Sequence, residues 1–479
     1  MMTLAQLARI VEAAHYTGAE DRLISGVTID SRRVNSGDLF IALRGERFDG
    51  HDFIAEALRN GAVAVVVERD DIDCDGAYVV VANARLALGK IAAYWRSLFT
   101  GTVIAITGSN GKTTVKEMTA AIMRRLGSGI ATRGNLNNDI GVPLTLLKIN
   151  PGDRFVVIEM GANHLGEIAY LTRLARPNVA LVNNAAAAHL EGFGTVKDVV
   201  IAKSEIYSGL HADGIAIVNG DDPHAADFLQ AAAPFKRLLF SMRHSTADFY
   251  ADNLTLNYSA TSGVRTLFHL HHRDETIVIS LAQIGRHNVM NALAASAAAR
   301  AAGATLTEIK AGLESFEVVP GRLNFKRTPS GITVIDDTYN ANPASCGVAI
   351  EVLAALPGKR VLVLGDMGEL GSEAEQMHRE VGELALKSGV DAIYSLGELS
   401  AGASECYSTT VGHHFNDQNA LIEVLLDEMD SGHFDNGYLL VKGSRFMRME
   451  RVVAALLSHP VLRGGARVTA PDVMPSGAG

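Results

Sequence analysis

Cysteine, tryptophan and proline are all scarce in this 479-residue chain, with three Cys, one Trp and 12 Pro. Cys74, Cys346 and Cys406 lie far apart and form no Cys-x-x-Cys pair, which excludes a disulfide framework and a cysteine-built zinc site and points to a reducing, cytoplasmic compartment. Positive charge is in deficit. Lys and Arg number 43 against 53 Asp and Glu, a net charge of −10, so no global basic field exists to hold nucleic acid, although a local phosphate site is compatible with it. Long apolar runs are missing too. Nothing reaches the roughly 18 residues that a membrane span requires, and the Ala-rich stretch after Asn291 is broken by Ser296 and Arg300. The N-terminal MMTLAQLARIVEAAHYTGAE reads as an amphipathic helix interrupted by Glu12 and His15, without the basic start and unbroken apolar run of a signal peptide.

What is present is the composition of an ordinary globular protein, 48% hydrophobic and 20% charged. At roughly 100 to 200 residues per domain, the length predicts about three domains. Residues 1–99 carry short strand-like runs (GVTID, DLFIAL, AVAVVVE) and a helical pattern through FIAEALRN, a small α/β unit. Residues 100–319 open with VIAIT, a glycine turn and then Val115, Met118, Ile122 and Leu126 at helical spacing. The buried-type strands FVVIEM, VALVNN and GIAIVN follow, which predicts a mostly parallel sheet covered on both faces. Asp248–Ser280 alternates apolar and polar residues and reads as an antiparallel subsheet, followed by a helix from about Val289 to Ala302. After Pro320 the strands ITVIDD, VLVLGD, AIYSLG and YLLVKG alternate with helices, so residues 320–462 read as a doubly wound, Rossmann-like unit. Residues 463–479, rich in Gly, Pro, Ser and Ala, read as a disordered tail. The fold class is α/β in three domains.

The most specific signal is Thr107-Gly108-Ser109-Asn110-Gly111-Lys112-Thr113-Thr114. A glycine turn between a buried strand and a helix exposes successive backbone N–H groups, the helix N-terminus adds partial positive charge, and the Lys112 ammonium can reach the outer phosphates. The Thr113 hydroxyl is suited to Mg²⁺. The spacing departs from GxxxxGK[ST], because Ile106 stands five residues before Gly111. By itself the loop leaves kinase, motor, synthetase and regulatory ATPase open.

Further segments narrow that choice. TGSNGKTT is followed in order by GNLNND (from Gly134), EMGANHLGEI (from Glu159), NNAAAAHLEGFG (from Asn183), AKSEI (from Ala202) and GRHNVMNALAA (from Gly285). PGR (from Pro320), DDTYNANPAS (from Asp336), LGDMGELG (from Leu364) and KGSRFMRME (from Lys442) complete the series. Over nearly the full length these resemble the successive signatures of the Mur ligases. DDTYNANP and DSRRVNSGDLFIALRGERFDGHDF (from Asp30) resemble the MurF type within that family.

That resemblance implies ATP-dependent amide formation between UDP-N-acetylmuramoyl-tripeptide and D-alanyl-D-alanine by a cytoplasmic monomer with one or two Mg²⁺ ions. Lys112, Lys203, His189 and Arg322 are the implied catalytic set. Gly108, Ser109, Asn110, Gly111, Lys112, Thr113 and Thr114 would cradle ATP, with Asn288 and Asn291 at adenine, Asp337 at ribose and Arg322 at the γ-phosphate. Thr113, Glu159, His189 and Lys203 would hold metal, with Lys203 carbamylated so that its amine becomes an anion. Ser31 and Arg32 are implied for the UDP-sugar, Asn137 and Asn138 for the muramoyl-peptide, and Tyr339, Asn340 and Asn342 for the ATP or dipeptide side. The rival readings are a MurE-type ligase, disfavoured because no DNPR-like motif replaces DDTYNANP, and a nucleotide-binding regulatory protein without chemistry. Folylpolyglutamate synthase shares the central fold but lacks such an N-terminal domain.

Weaker signals read as structure. His269, His271 and His272 form a polar strand face with no Cys or acid at ligand spacing. LGDMGELG has GxxGxxG rather than GxGxxG spacing, which argues against a dinucleotide site, and Cys346 reads as a packed thiol.

Overall fold

A computed structural model describes residues 2–467 apart from 46–47, 72–75, 188–189, 260–262, 409–410, 461 and 464–465. Three large sheets carry the chain, each α/β as the sequence predicts.

The first is five-stranded, in the order His15–Tyr16, Ala77–Val80, Ala64–Val67, Asp38–Ile41, Gly26–Thr28, parallel except at its first pairing. Helices Leu4–Val11 and Ala84–Ser97 bury Leu4, Leu7, Leu88 and Ile91 on one face, while Ile54–Arg59 covers the other. The N-terminal helix is shorter than its amphipathic pattern. It stops where Glu12 takes a left-handed conformation (φ 55°), and His15–Tyr16 then joins the sheet as an edge.

The second sheet has nine strands. Gly129–Ala131, Phe155–Glu159, Thr102–Thr107, Val179–Val182, Ile215–Asn219, Lys236–Ser241 and Phe249–Ser259 are parallel in that spatial order. Gly263–His272 and Glu275–Leu281 continue it antiparallel, so the alternating segment is the antiparallel end of the main sheet. Lys236–Ser241 is a strand that its pattern conceals, because Lys236 and Arg237 at its start are exposed. Helices Lys112–Met123, Arg286–Ala301 and Leu306–Glu314 pack on one face and Glu167–Ala175 and Val196–Ser204 on the other. Arg286–Ala301 is buried on nearly all sides, and its alanines let the sheet approach closely.

The third sheet orders Asn324–Arg327, Thr333–Asp337, Tyr438–Lys442, Arg360–Gly365, Ala392–Leu396 and Gly412–Phe415, with only the first pairing antiparallel. Leu462–Arg463 then pairs antiparallel with Ala466–Arg467; of residues 463–479, read as a disordered tail, 464–465 and 468–479 lie outside the described residues.

Register decides where the chemistry collects. Glu159 pairs with Ile106 and Val182 with Thr107, so the ends of three adjacent parallel strands lie level. Their carboxyl ends deliver the glycine turn, the Glu159 carboxylate and the Asn183–Asn184 pair to one edge, where open α/β sheets bind ligands.

Candidate active site

The turn after Thr102–Thr107 is sterically tight. Gly108 and Gly111 have φ values of 150° and 77°, and a Cβ on Gly111 would lie 2.5 Å from Asn291 Oδ1 and 2.6 Å from Asn183 Nδ2, so only glycine fits there. Neighbouring strand ends hold the turn from outside. Asn184 accepts from the Asn110 N–H at 2.8 Å and donates to its carbonyl at 3.1 Å, and Ser109 Oγ accepts from the Ala186 N–H at 3.0 Å. Asn183 donates to the Asn110 carbonyl (2.9 Å) and to Asn291 Oδ1 (3.1 Å), Asn291 donates to Asn288 Oδ1 (3.3 Å), and Asn288 to the Ile284 carbonyl (3.0 Å). Asn288 and Asn291, read as adenine contacts, are buried and joined through Asn291 and Asn183 to the loop. Asn183 and Asn184 were not singled out in the sequence; their signal is a polar pair directly after a buried strand.

Lys112 begins the following helix, half-buried, and its ammonium donates to the Gly108 (2.6 Å) and Ser109 (3.2 Å) carbonyls. It is therefore not a freely exposed loop lysine. Burial lowers its pKa, and the nearby Arg322 charge adds to this against the opposing pull of Glu159. Thr113 and Thr114 are buried behind it.

Glu159 is buried at its strand end. Oε1 accepts from Asn137 Nδ2 at 2.8 Å, while Oε2 is buried without a hydrogen-bond partner, 4.0 Å from the ammonium of the fully buried Lys116. A carboxylate oxygen left in that state is costly unless a cation completes it. Glu159 with the Thr113 hydroxyl supplies the hard oxygen donors that Mg²⁺ takes. Lys203 is also buried, with Nζ 5.4 Å from the Phe193 ring centre and no hydrogen bond or ion pair among the described residues. Burial first, and the charge of Lys112 second, pull its pKa down to about 7. His189 lies outside the described residues.

A cavity of about 570 Å³ joins several of these groups. Lys112, Lys203, Asn137 and Asn138 line it together with Arg85, Asn163, Glu167 and Tyr170, which the sequence did not single out. Arg85 comes from the N-terminal unit and pairs with Asp139 at 3.2 Å, so the first two units both wall the cavity. Asn138 Oδ1 is occupied in capping, accepting from the Gly141 N–H at 2.9 Å.

The C-terminal unit approaches from the other side. Arg322 Nη2 donates to Thr113 Oγ1 at 3.3 Å, and its guanidinium stacks on Tyr339, 4.1 Å from the ring centre. Asn342 caps the helix Pro343–Ala354 and donates from Nδ2 to Asn110 Oδ1 at 2.9 Å. Asp337 is buried, bonded to Lys442 Nζ at 2.5 Å and to the Leu323 N–H at 3.2 Å. Lys442, overlooked as a single residue, is a charge closing the buried strand YLLVK; its ammonium also reaches the carbonyl of the exposed Asn340 at 3.0 Å. Ser31 and Arg32 sit in a 3-10 turn of the first unit. The Ser31 hydroxyl is turned inward to Glu56 Oε2 at 2.5 Å, and the exposed Arg32 forks onto Asp30 at 2.8 and 2.9 Å.

The fold and site define a phosphate-binding α/β protein whose loop is covered by a second α/β unit in the same chain. Residues 23–96 match the Mur ligase family catalytic domain, residues 106–299 the Mur ligase middle domain, and residues 321–445 the Mur ligase glutamate ligase domain. The chain is 45% identical to the UDP-N-acetylmuramoyl-tripeptide–D-alanyl-D-alanine ligase of Escherichia coli K12, over 95% of this chain and 98% of that one. A crystal structure of MurF from Acinetobacter baumannii superposes with a TM-score of 0.88 at 38% identity, over 95% and 98% of the two chains. MurF from Thermotoga maritima, solved in complex with ADP, gives 0.81 at 31% identity, over 92% and 99%. The chain belongs to the Mur ligase family, and within it to the MurF type. No helix among the described residues is long and apolar enough to cross a membrane.

Proposed function

We infer that this chain is an ATP-dependent ligase that joins D-alanyl-D-alanine to UDP-N-acetylmuramoyl-tripeptide, giving ADP, phosphate and UDP-N-acetylmuramoyl-pentapeptide for peptidoglycan. The observation that carries the reading is the convergence of Lys112, Glu159, Lys203 and Asn137 at one cleft edge, with Arg322 arriving from the C-terminal unit. Relatives named for this reaction at 45% and 41% identity support it over the MurE-type and non-catalytic alternatives.

In the first step a terminal carboxylate oxygen of the tripeptide attacks the γ-phosphorus and ADP departs, leaving an acyl phosphate. In the second, the dipeptide amine attacks the acyl carbon, phosphate leaves and the amine loses a proton. The first step brings two anions together, so its catalysis is charge neutralisation and alignment. The loop N–H groups and Lys112 would hold the β- and γ-phosphates, while Arg322 would take the γ-phosphate by exchanging its bond to Thr113. Asn137 holds the Glu159 carboxylate in position. Glu159, Thr113 and His189 would bind Mg²⁺, whose contribution when bound is to neutralise charge on the phosphate oxygens. The fit rests on the buried Glu159 Oε2, which makes no hydrogen bond and has the Lys116 ammonium 4.0 Å away. Lys203, buried beside Lys112 without an anionic partner in hydrogen-bond reach among the described residues, is read as the carbamylated residue that would complete the metal set. Asp337 and the helix start at Asn288 would flank the nucleoside, residues 1–99 with Ser31 and Arg32 the UDP-sugar, and Tyr339, Asn340 and Asn342 the dipeptide side. The enzyme is read as a cytoplasmic monomer.

Incubating the protein with ATP, Mg²⁺, D-alanyl-D-alanine and each UDP-muramoyl tripeptide should give the pentapeptide mass and equimolar phosphate. Phosphate release that ignores both acceptor substrates would overturn the reading.

A further inference from the structure

Far along the nine-stranded sheet, the outer face of its antiparallel end carries a second cluster of ligating groups. Pairing sets Tyr250 opposite His271 and His271 opposite Thr276; the next row sets Asp252 opposite His269 and His269 opposite Val278. The register slips just after Asp252, and Asn253 there is left-handed with φ 52°. In sequence the two histidines have no acid at ligand spacing; the strand pairing supplies one.

The ligand atoms of Asp252, His269 and His271 all lie within 4.8 Å of one another. Asp252 Oδ1 is 3.0 Å from His271 Nε2 and 3.5 Å from His269 Nδ1. Ligands held at about 2.0–2.1 Å around a tetrahedral ion are separated by roughly 3.3 Å, so these spacings suit a single ion. His271 Nε2 is buried and makes no hydrogen bond despite its closeness to the carboxylate. Its ring is fixed on both sides: Nδ1 meets Thr276 Oγ1 at 2.9 Å, and Tyr250 stacks parallel at 4.3 Å. In the tautomer that donates Nδ1–H to Thr276, Nε2 directs its lone pair toward Asp252 Oδ1, an arrangement a cation between them relieves. An oxygen acceptor on the far imidazole nitrogen is the usual means of orienting a metal-bound histidine, and the Thr276 hydroxyl is placed to act as one. The Asn253 amide, 3.1 Å from His269 Nδ1, would give way to the ion.

We propose that Asp252, His269 and His271 bind a borderline transition-metal ion of the Zn²⁺ or Co²⁺ type at this sheet edge, with water completing its coordination. Two imidazoles and one carboxylate select such ions over Mg²⁺, which takes oxygen ligands. The site pins the sheet where its pairing slips, and it uses none of the groups of the nucleotide cleft.

The test is titration of tag-free, chelator-stripped full-length protein with CoCl₂ in millimolar MgCl₂, followed by visible absorption and calorimetry. One Co²⁺ per chain should bind, with ligand-field bands that equimolar Zn²⁺ abolishes. His269→Ala and His271→Ala should remove the bands, Thr276→Val should weaken binding about 10-fold, the lower range for a lost orienting partner, and Asp252→Asn, which replaces a ligand, should weaken it at least as much. Absence of binding by the parent chain, or bands that survive in the His269→Ala/His271→Ala double variant, would overturn the proposal. If that double variant fails to fold by circular dichroism, unchanged affinity in both Asp252→Asn and Thr276→Val is the result that overturns it.

Discussion

Arg322 donates to the hydroxyl of Thr113 across 209 positions of sequence, tying the C-terminal unit to the first turn of the helix that follows the phosphate loop. Its guanidinium is half satisfied. Nη2 has Thr113 and the plane has Tyr339, but Nε is buried without a partner. A buried donor of this kind is stable only provisionally, and a phosphate oxygen is the acceptor it lacks.

Arg322→Ala should therefore lower kcat by on the order of 10³-fold, the lower range for an arginine acting on a transferred phosphoryl group, with smaller change in ATP affinity. Arg322→Lys should recover little of this, because an ammonium cannot span both Thr113 and a phosphate while lying on Tyr339. Steady-state kinetics of both variants check it; a Lys variant near the parent rate would show that only charge matters.

Lys112→Ala should abolish ligation yet change stability by no more than about 1 kcal/mol. Among the described residues the ammonium makes hydrogen bonds only within its own loop, and its loss removes the attraction of Glu159 together with the repulsion of Arg322 and Lys203. Denaturant melts paired with phosphate-release assays separate the two effects.

Glu159→Gln should raise the Mg²⁺ concentration needed for half-maximal nucleotide binding by roughly 10-fold or more, because a neutral amide replaces the carboxylate whose Oε2 makes no hydrogen bond. It should also leave Lys116 facing one acid, Glu117 at 2.9 Å, instead of two. Fluorescent-nucleotide titrations at varied Mg²⁺ give the answer, and unchanged metal dependence would remove Glu159 from the metal set.

Protein equilibrated with ¹³C-bicarbonate should show one slowly exchanging carbamate carbon resonance, absent in Lys203→Arg. Carbamylation consumes the neutral amine, which predominates above a pKa of about 7, so the signal should fade as pH drops below that value. A bare amine throughout would eliminate the modification.

His287 supplies a pH dependence of stability. Burial lowers its pKa to about 4 against the attraction of Asp337, with Lys442 adding to the lowering. The unfolded value is about 6.5. The folded state thus binds fewer protons, its stability is complete above pH 6.5, and it is lost progressively as pH falls toward 4. Thermal melts from pH 7.5 to 4.5 should show this decline, and His287→Gln should flatten it.

Runs such as TVIAIT, FVVIE and YLLVK are apolar without alternation, so the sequence alone dictates strands covered on both faces, and TGSNGKTT between such a strand and a helical period dictates a phosphate loop. Tertiary structure decided what each side chain is free to do. Ser31 reads as a UDP-sugar contact, and the fold gives its hydroxyl the partner Glu56; Asn288 and Asn291 read as adenine contacts, and the fold links them to each other and, through Asn291, to Asn183 beside Gly111. Asp252 gives no hint of His269 until strand pairing places it opposite, and Asn342 gives none of Asn110 until the last unit closes on the loop. The physical reason is range. Periodicity and turn chemistry act over a few residues and are written locally, whereas hydrogen-bond partners and burial are set by contacts between residues tens to hundreds of positions apart, which no local pattern encodes.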